Sequence, residues 1–331
     1  MERGRVSIII PSRNERHLQR TIDSLLTNAA GDVEVIAILD GGPWPDPPLR
    51  ADKRLIVVRH NDPMGMRPSI NEGAQIASGE FLLKCDAHCI FAPGYDAVLK
   101  EDCDPQTLVV PIRHSLDPIV WERDGEQAAL NKRKSWQYTS LTFPYAVTEY
   151  GAGIHAVTLP WDKNKRLNDE RQHLLVDDLL SFQGSCWFQC RDTFLKDGPL
   201  DHGAFYFYGE AQESGLLRYW LRGRRCVVSK KTFYGHLHKG REHRGADGRQ
   251  GRGFYLSLQR KRECEALITD ICVNNKWPGQ TRTFESVIEQ FWWIISRMEG
   301  RFAWPSDWRD WEKHRQVFEG RAADQIPAHI G

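Results

Sequence analysis

The chain has 331 residues, of which 40% are hydrophobic, and its formal net charge is +1. This length and apolar content can bury a large core, and the balanced charge by itself indicates no class of partner. The apolar run that begins at Val6 is too short for a signal peptide or a membrane span, and no stretch has 18 apolar residues in succession. The eight cysteines show no paired Cys-x-x-Cys pattern. We therefore expect no membrane span, reduced thiols and a location in the cytoplasm.

Positive charge is concentrated in one segment. Between Arg222 and Arg262 there are thirteen Lys and Arg residues and two acids, so this segment carries +11 and the remainder of the chain carries −10. Such an asymmetry favours a polyanionic partner. A solvated basic surface is the alternative interpretation.

The first hundred residues alternate between strand and helix patterns. Apolar runs predict buried strands at Val6–Pro11, Val33–Leu39, Arg54–Val58 and Glu80–Cys85. Helices are predicted from Leu18 and over Ser69–Ala77, where Ser69 and Glu72 match a capping box. This alternation predicts an open α/β sheet with mostly parallel strands, and ligands bind such sheets at the carboxyl ends of the strands. Asp40 and Asp86 both lie at such ends.

The rest of the chain is less regular. Residues 113–180 are rich in aromatic and charged side chains and predict long loops with short strands. Later patterns predict a strand at Gln183–Arg191, a helix at Gln212–Leu221, a strand at Cys226–Val228 and a helix at Phe254–Val273. The segment from residue 274 holds six of the twelve tryptophans. These tryptophans either pack a small helical appendage or form a stacking platform for bases or sugars.

A carboxylate and an imidazole lie two residues apart in Asp86-Ala87-His88. Side chains at i and i+2 on extended backbone project to the same side, so Asp86 and His88 can share one cation. Oxygen ligands suit Mg²⁺ or Mn²⁺, and the imidazole favours Mn²⁺. By itself this pair is also typical of a polar turn after a strand.

Motifs along the chain resemble those of known glycosyltransferases. The opening strand with Pro11-Ser-Arg13-Asn-Glu15 and the strand that ends in Asp40-Gly-Gly resemble family 2 glycosyltransferases. Asp86-Ala-His88-Cys is similar to the Asp-Ser-His-Cys of the polypeptide N-acetylgalactosaminyltransferases. Three later runs resemble further motifs of the same enzymes: Gly184-Ser-Cys-Trp-Phe188, Tyr208-Gly-Glu210-Ala-Gln-Glu213 and Tyr234-Gly-His236-Leu-His238-Lys239.

This resemblance implies a GT-A fold, the Rossmann-like fold of nucleotide-diphospho-sugar transferases, and a UDP-sugar as donor. It implies a catalytic domain over residues 1–262 and a Trp-rich helical segment over 263–331. The domain would comprise a nucleotide-binding half (1–112), an acceptor half (113–240) and the basic segment (222–262). The implied metal ligands are Asp86, His88 and His236, and the implied nucleotide contacts are Pro11, Arg13, Glu15, Asp40, Arg67 and Asp86.

The sequence leaves several residue roles, the donor sugar and the stereochemistry open. His238 competes with His236 as third ligand, and Glu213 competes with Glu210 as general base. Gly41 replaces the second acid that family 2 enzymes carry after Asp40, and Ala211 and Pro63 depart from the motifs of the N-acetylgalactosaminyltransferases. The resemblance therefore implies neither the donor sugar nor a peptide acceptor. Family 2 likeness favours inversion at the anomeric carbon, whereas the metal motifs favour retention.

The basic segment, together with a likeness to phage-encoded family 2 enzymes, predicts an acceptor in DNA. We expect a 5-hydroxymethylpyrimidine of phage DNA, acting in the host cytoplasm, with Trp121, Trp136 and Trp187 as candidates to hold a flipped base. The alternatives are a glycan, lipid-linked or protein acceptor. A non-catalytic module that binds nucleotide sugars or nucleic acid is the alternative from another class.

Overall fold

The computed structural model describes residues 1–148, 151–201, 212–238 and 258–324. Among these residues, ten strands form one central sheet and four form two small ones. The central strands are β1 (Glu2–Ser12), β2 (Val33–Asp40), β3 (Leu55–His60), β4 (Gly79–Cys85), β5 (Cys89–Phe91), β6 (Thr107–Leu116), β7 (Leu130–Trp136), β12 (Val176–Asp178), β13 (Cys186–Cys190) and β14 (Arg225–His236). The small sheets pair β8 (Thr139–Leu141) with β11 (Ala156–Thr158) and β9 (Val147–Thr148) with β10 (Gly151–Ala152).

The central sheet has the order β12-β14-β6-β13-β4-β1-β2-β3, with β5 paired to β14 and β7 to β6. β1, β2, β3 and β4 are parallel, and β6 and β14 run in the same direction. β13 separates these two groups and is antiparallel to both of its neighbours. β5, β7 and β12 also run against the main direction. The predicted α/β sheet of mostly parallel strands is confirmed, with these antiparallel additions.

Helices cover the sheet, and the core lies on both of its faces. The α-helices are α1 (Leu18–Asn28), α2 (Met66–Ile76), α3 (Tyr95–Asp102), α4 (Pro118–Asp124), α5 (Glu126–Ala129), α6 (Trp161–Arg171), α7 (Arg191–Asp197), α8 (Leu258–Val273), α9 (Phe284–Gln290), α10 (Trp292–Ile295) and α11 (Trp311–Asp324). Ile8, Ile9 and Ile10 of β1 are all fully buried, because alternate residues of a parallel strand face the helices on opposite sides. Ile9 packs in the layer that contains α2, whereas Ile8 and Ile10 pack in the layer with α1 and α3.

The start of α2 differs from the predicted one. The helix begins at Met66, one turn before Ser69, and its N-cap is Gly65 with φ of 107°. Ser69 therefore lies inside the helix, where its hydroxyl donates to the Gly65 carbonyl. The predicted capping box was wrong because Glu72 contacts His60 of β3 instead of a cap backbone.

The C-terminal tryptophans pack into the main core. Trp304 and Trp308 are buried in the same apolar cluster as Leu141 and Trp220. The Trp304 indole nitrogen donates to the Leu141 carbonyl at 3.0 Å. The rings of Trp220 and Phe291 lie 4.9 Å apart, centroid to centroid. These contacts support packing as the role of the buried tryptophans. Among the described residues, no helix combines the length and apolar character needed to cross a bilayer.

Candidate metal and nucleotide site

Three potential metal ligands converge where the main strands end. Asp86 follows β4, His88 precedes β5, and His236 is the last residue of β14. β14 pairs with β5 so that His236 lies opposite Cys89, which brings two segments 150 residues apart into contact. One donor atom from each of the three side chains lies within 4.8 Å of the others. Sequence spacing explains only the Asp86–His88 pair, and strand pairing adds His236.

The donor atoms are identified by their contacts. Asp86 Oδ2 lies 3.2 Å from His236 Nε2 and 3.7 Å from His88 Nε2, and the two imidazole rings are 4.9 Å apart. One carboxylate oxygen and two imidazole nitrogens therefore point at a common centre, and this donor set fits a divalent cation such as Mn²⁺. His238 is exposed and is not a member of this cluster.

The protonation states of the cluster suit metal binding. Burial opposes ionisation of the Asp86 carboxyl, but the Lys84 ammonium and the imidazole of His236 outweigh it, and the pKa of Asp86 lies well below its usual range. Burial lowers the pKa of His236 to about 3, against the opposing effect of its hydrogen bond to Asp86. At neutral pH the cluster therefore offers a carboxylate and a neutral His236 imidazole, and metal ligands must be deprotonated.

Glu15 contacts a metal-ligand candidate. Its Oε2 lies 3.3 Å from His88 Nδ1, and both side chains are buried. A carboxylate at Nδ1 leaves Nε2 of the same ring free to face the common centre. The structure places Glu15 beside His88, and its predicted contact with the nucleotide stays a prediction.

Lys84 is a site residue that the motifs did not reveal. Its side chain is 1% exposed, and its Nζ donates to Asp86 Oδ1 at 2.9 Å and to the Gly184 carbonyl at 2.6 Å. A lysine inside an otherwise apolar buried strand was the available signal, because a buried ammonium requires a partner.

The predicted uridine contact, Asp40, lies at the carboxyl end of β2. Its carboxylate accepts hydrogen bonds from the Met64 and Gly65 amides at 2.7 and 2.8 Å and contacts His60 Nδ1 at 3.0 Å. Asp40 therefore fixes the turn that leads into α2. Its contact with uridine stays a prediction. The predicted nucleotide contacts of Pro11, which lies in β1 opposite Ile38 of β2, and of Arg13, which follows β1, also stay predictions.

Arg67 and Glu213 form a buried ion pair. Both side chains are 1% exposed, and Arg218 Nη2 donates to Glu213 Oε1 at 2.7 Å. Arg218 Nη1 also donates to the Gly198 carbonyl at 2.8 Å. This arrangement indicates a structural role for Glu213 at the start of the π-helix Gln212–Trp220. Glu210, the other candidate base, lies outside the described residues.

The predicted DNA contacts are not supported. Trp121 and Trp187 are 1% and 0% exposed, so neither can hold a flipped base, and Trp136 lies under the guanidinium of Arg113 at 4.7 Å. The basic residues that the structure describes with side chains between 222 and 238 all pair with acids of this chain. These pairs are Arg222 and Arg224 with Asp197, Arg225 with Asp178, Lys230 with Asp177, and Lys231 with Asp102.

The sheet order and the carboxylate–imidazole cluster at the strand ends define a GT-A protein. Residues 7–191 match the family Glycosyl transferase family 2, and the chain belongs to that family. A curated relative, "Putative polypeptide N-acetylgalactosaminyltransferase 13" of Drosophila melanogaster, is 26% identical over 253 residues, which are 71% of this chain and 42% of the relative.

A solved structure shares the fold. The crystal structure of GalNAc-T7 with UDP, GalNAc and Mn²⁺ matches with a TM-score of 0.60 and 17% identity, over 88% of this chain and 57% of that one. The chain thus spans about half the length of these two proteins. The resemblance inferred from the sequence motifs is confirmed at the level of family and fold.

Proposed function

We propose that this protein transfers a sugar from a UDP-sugar to a hydroxyl group, with a divalent cation, preferably Mn²⁺, held by Asp86, His88 and His236. The observation that carries the proposal is the convergence of these three donors within 4.8 Å inside a family 2 domain. The solved structure with the same fold contains UDP and Mn²⁺, which supports this donor and this ion. When bound, the cation supplies positive charge to the departing diphosphate.

The residues that contact the metal-ligand candidates would keep the ligands in the observed geometry. Glu15 orients His88 through Nδ1, and Lys84 holds Asp86 through Oδ1. Asp40 fixes the turn at Met64 and Gly65, which lies at the same end of the sheet. These contacts preorganise the nucleotide side of the site, so that little rearrangement is needed when the donor binds.

The acceptor that we favour is a hydroxyl group of a polypeptide or glycan. The curated relative named as a polypeptide N-acetylgalactosaminyltransferase supports this class. The DNA acceptor was inferred partly from a likeness to phage-encoded enzymes and partly from the charge of the segment 222–262. Five of its thirteen cations are engaged by acids within the chain, so the free positive charge is smaller than the sequence count.

The test is mass analysis of acceptors after incubation with Mn²⁺ and a panel of UDP-sugars that includes UDP-GalNAc. The acceptors are Ser/Thr peptides, oligosaccharides and duplex DNA with 5-hydroxymethylcytosine. We expect transfer to a peptide or an oligosaccharide, and its loss in Asp86→Ala and His88→Ala. Asp169→Ala, an exposed acid on α6, is the matched control.

Three results would contradict the proposal or its favoured acceptor. Equal transfer by wild type and Asp86→Ala would reject the metal assignment. Binding of UDP with neither transfer nor donor hydrolysis, for every acceptor, would favour a non-catalytic module. Modification of the DNA alone would restore the nucleic-acid hypothesis.

A further inference from the structure

Lys84 is a buried cation directly behind a metal-ligand candidate. It lies in β4, two residues before Asp86, and its Nζ donates to Asp86 Oδ1 at 2.9 Å. The other oxygen, Oδ2, is the one that faces His236 and His88. The two oxygens of this carboxylate are thus divided between a protein cation and the metal position, which leaves Asp86 a monodentate ligand.

Among the described residues, the charges known to act on the three ligands nearly cancel. Asp86 and Glu15 contribute two negative charges, and Lys84 contributes one positive charge in direct contact. Arg113 of β6 lies opposite Tyr234 of β14 in the sheet. Its positive charge also acts on His236, two residues after Tyr234. A divalent cation therefore meets little net attraction from the free protein, although the ligand geometry is already present.

A nucleoside diphosphate would supply the missing negative charge. Cations of this kind are commonly held by one or two carboxylates together with substrate phosphates. From this charge balance, which rests on the proposed function, we infer that Lys84 keeps the metal affinity of the free protein low. The substrate is then the cation–nucleoside diphosphate complex, which binds as one unit and leaves as one unit after transfer.

Removal of Lys84 should change the metal affinity in the opposite direction from removal of a residue that only supports a ligand. Removal of a residue that only orients a metal ligand weakens metal binding. Removal of a positive charge beside the ligand oxygen should strengthen it, because the repulsion between an ammonium and a divalent cation is lost. The direction of the change in affinity therefore distinguishes the two roles.

The experiment is a titration of the 331-residue chain with Mn²⁺, with and without UDP, in which the electron paramagnetic resonance signal reports the free ion. Wild type should bind Mn²⁺ weakly alone and much more tightly with UDP. Lys84→Gln retains a hydrogen-bond donor but no charge, and should bind Mn²⁺ without UDP about tenfold or more tightly than wild type.

Lys100→Gln is the matched control, because Lys100 also contacts a buried carboxylate and a backbone carbonyl, at Asp96 and Gly4. Its Mn²⁺ affinity should equal that of wild type. Lys84→Met, which removes charge and donor together, serves if Lys84→Gln does not fold, as judged by circular dichroism. The wild-type titration is informative in either case.

Unchanged or weaker Mn²⁺ binding by a folded Lys84 variant would overturn the inference, as would equal affinity of wild type for Mn²⁺ with and without UDP. Absence of Mn²⁺ binding by wild type under both conditions would instead reject the metal site of the proposed function. The two failures are thus distinguishable.

Discussion

At the scale of single residues, the site depends on side chains that do not themselves face the common centre of the three ligands. Glu15 and Lys84 each contact the far side of a ligand, at His88 Nδ1 and Asp86 Oδ1. Lys84 donates to Asp86 Oδ1, which leaves Oδ2 to face the two histidines, and the Glu15 carboxylate lies beside Nδ1 of His88, whose Nε2 faces Asp86. The roles of these two residues follow from atom-level geometry that spacing along the chain does not specify.

Replacement of Glu15 tests this view. We expect Glu15→Gln to weaken Mn²⁺ binding in the presence of UDP by about 10- to 100-fold, because His88 loses the carboxylate that orients its ring. Glu122→Gln is the control, since Glu122 also faces a histidine at 3.8 Å, His17, which is not one of the metal-ligand candidates. Equal Mn²⁺ affinity in Glu15→Gln and wild type would show that His88 is oriented by other contacts.

Replacement of Glu213 separates a structural role from a catalytic one. Glu213→Gln should lower the free energy of unfolding by about 3–5 kcal/mol, because Arg67 is left as a buried charge without its carboxylate. Urea unfolding measures this loss. Glu289→Gln, which removes an exposed partner of Arg309, should cost less than about 1 kcal/mol. Normal stability combined with lost transfer would instead support Glu213 as the general base.

At the scale of elements, contacts between α2 and the sheet determine how closely the helix approaches β1 and β2 and where it begins. A Cβ atom added at Gly73 would lie 2.6 Å from Ile9 Cγ2 and 3.4 Å from Ile38 Cδ1. The glycine thus allows α2 to lie directly on β1 and β2. The N-terminus of α2 is in turn held by Asp40 through the Gly65 amide, which overrides the local capping signal at Ser69.

Substitutions in α2 should reflect this packing. We expect Gly73→Ala to lower stability by about 1–3 kcal/mol, because the new methyl group overlaps Ile9. Ser69→Ala is the comparison, because the Gly65 carbonyl still accepts from the Ser69 backbone amide at 3.2 Å. Thermal or urea unfolding of both variants shows whether Gly73→Ala loses more stability than Ser69→Ala. A larger loss in Ser69→Ala would restore the capping-box interpretation.

At the scale of the whole molecule, pH should affect stability through His60, which joins β3 to β2 and α2. Its Nδ1 contacts Asp40 at 3.0 Å and its Nε2 contacts Glu72 at 2.6 Å. Burial opposes protonation of His60, but the hydrogen bonds to Asp40 and Glu72 outweigh it and raise its pKa. The charged imidazole therefore stabilises the folded state.

The sign of the pH effect follows from linkage. Since the pKa of His60 is higher in the folded than in the unfolded state, its contribution is fully present below the unfolded pKa of about 6.5. That contribution is lost as the pH rises through the folded pKa. We expect the urea midpoint to fall above pH 6.5 in wild type and to fall less in His60→Gln. Parallel curves for the two proteins would contradict this role.

The sequence by itself determined the local features of this protein. The apolar runs predicted β1, β2 and β4, and the spacing of Asp86 and His88 predicted a shared cation, because strand periodicity and side-chain direction are local properties. The ordered motifs predicted the family and the fold. Glu210 and residues 239–257 of the basic segment lie outside the described residues, so their roles stay predictions.

Only the tertiary structure decided which distant groups meet. Pairing of β14 with β5 brings His236, and not His238, to Asp86. Folding buries Arg67 against Glu213 and pairs Arg222 with Asp197, although the chain separates the members of each pair. A count of charges along the sequence cannot detect such pairs, because electrostatic interactions depend on distance in space. Lys84 lies only two residues from Asp86, but which carboxylate oxygen it holds is a matter of folded geometry.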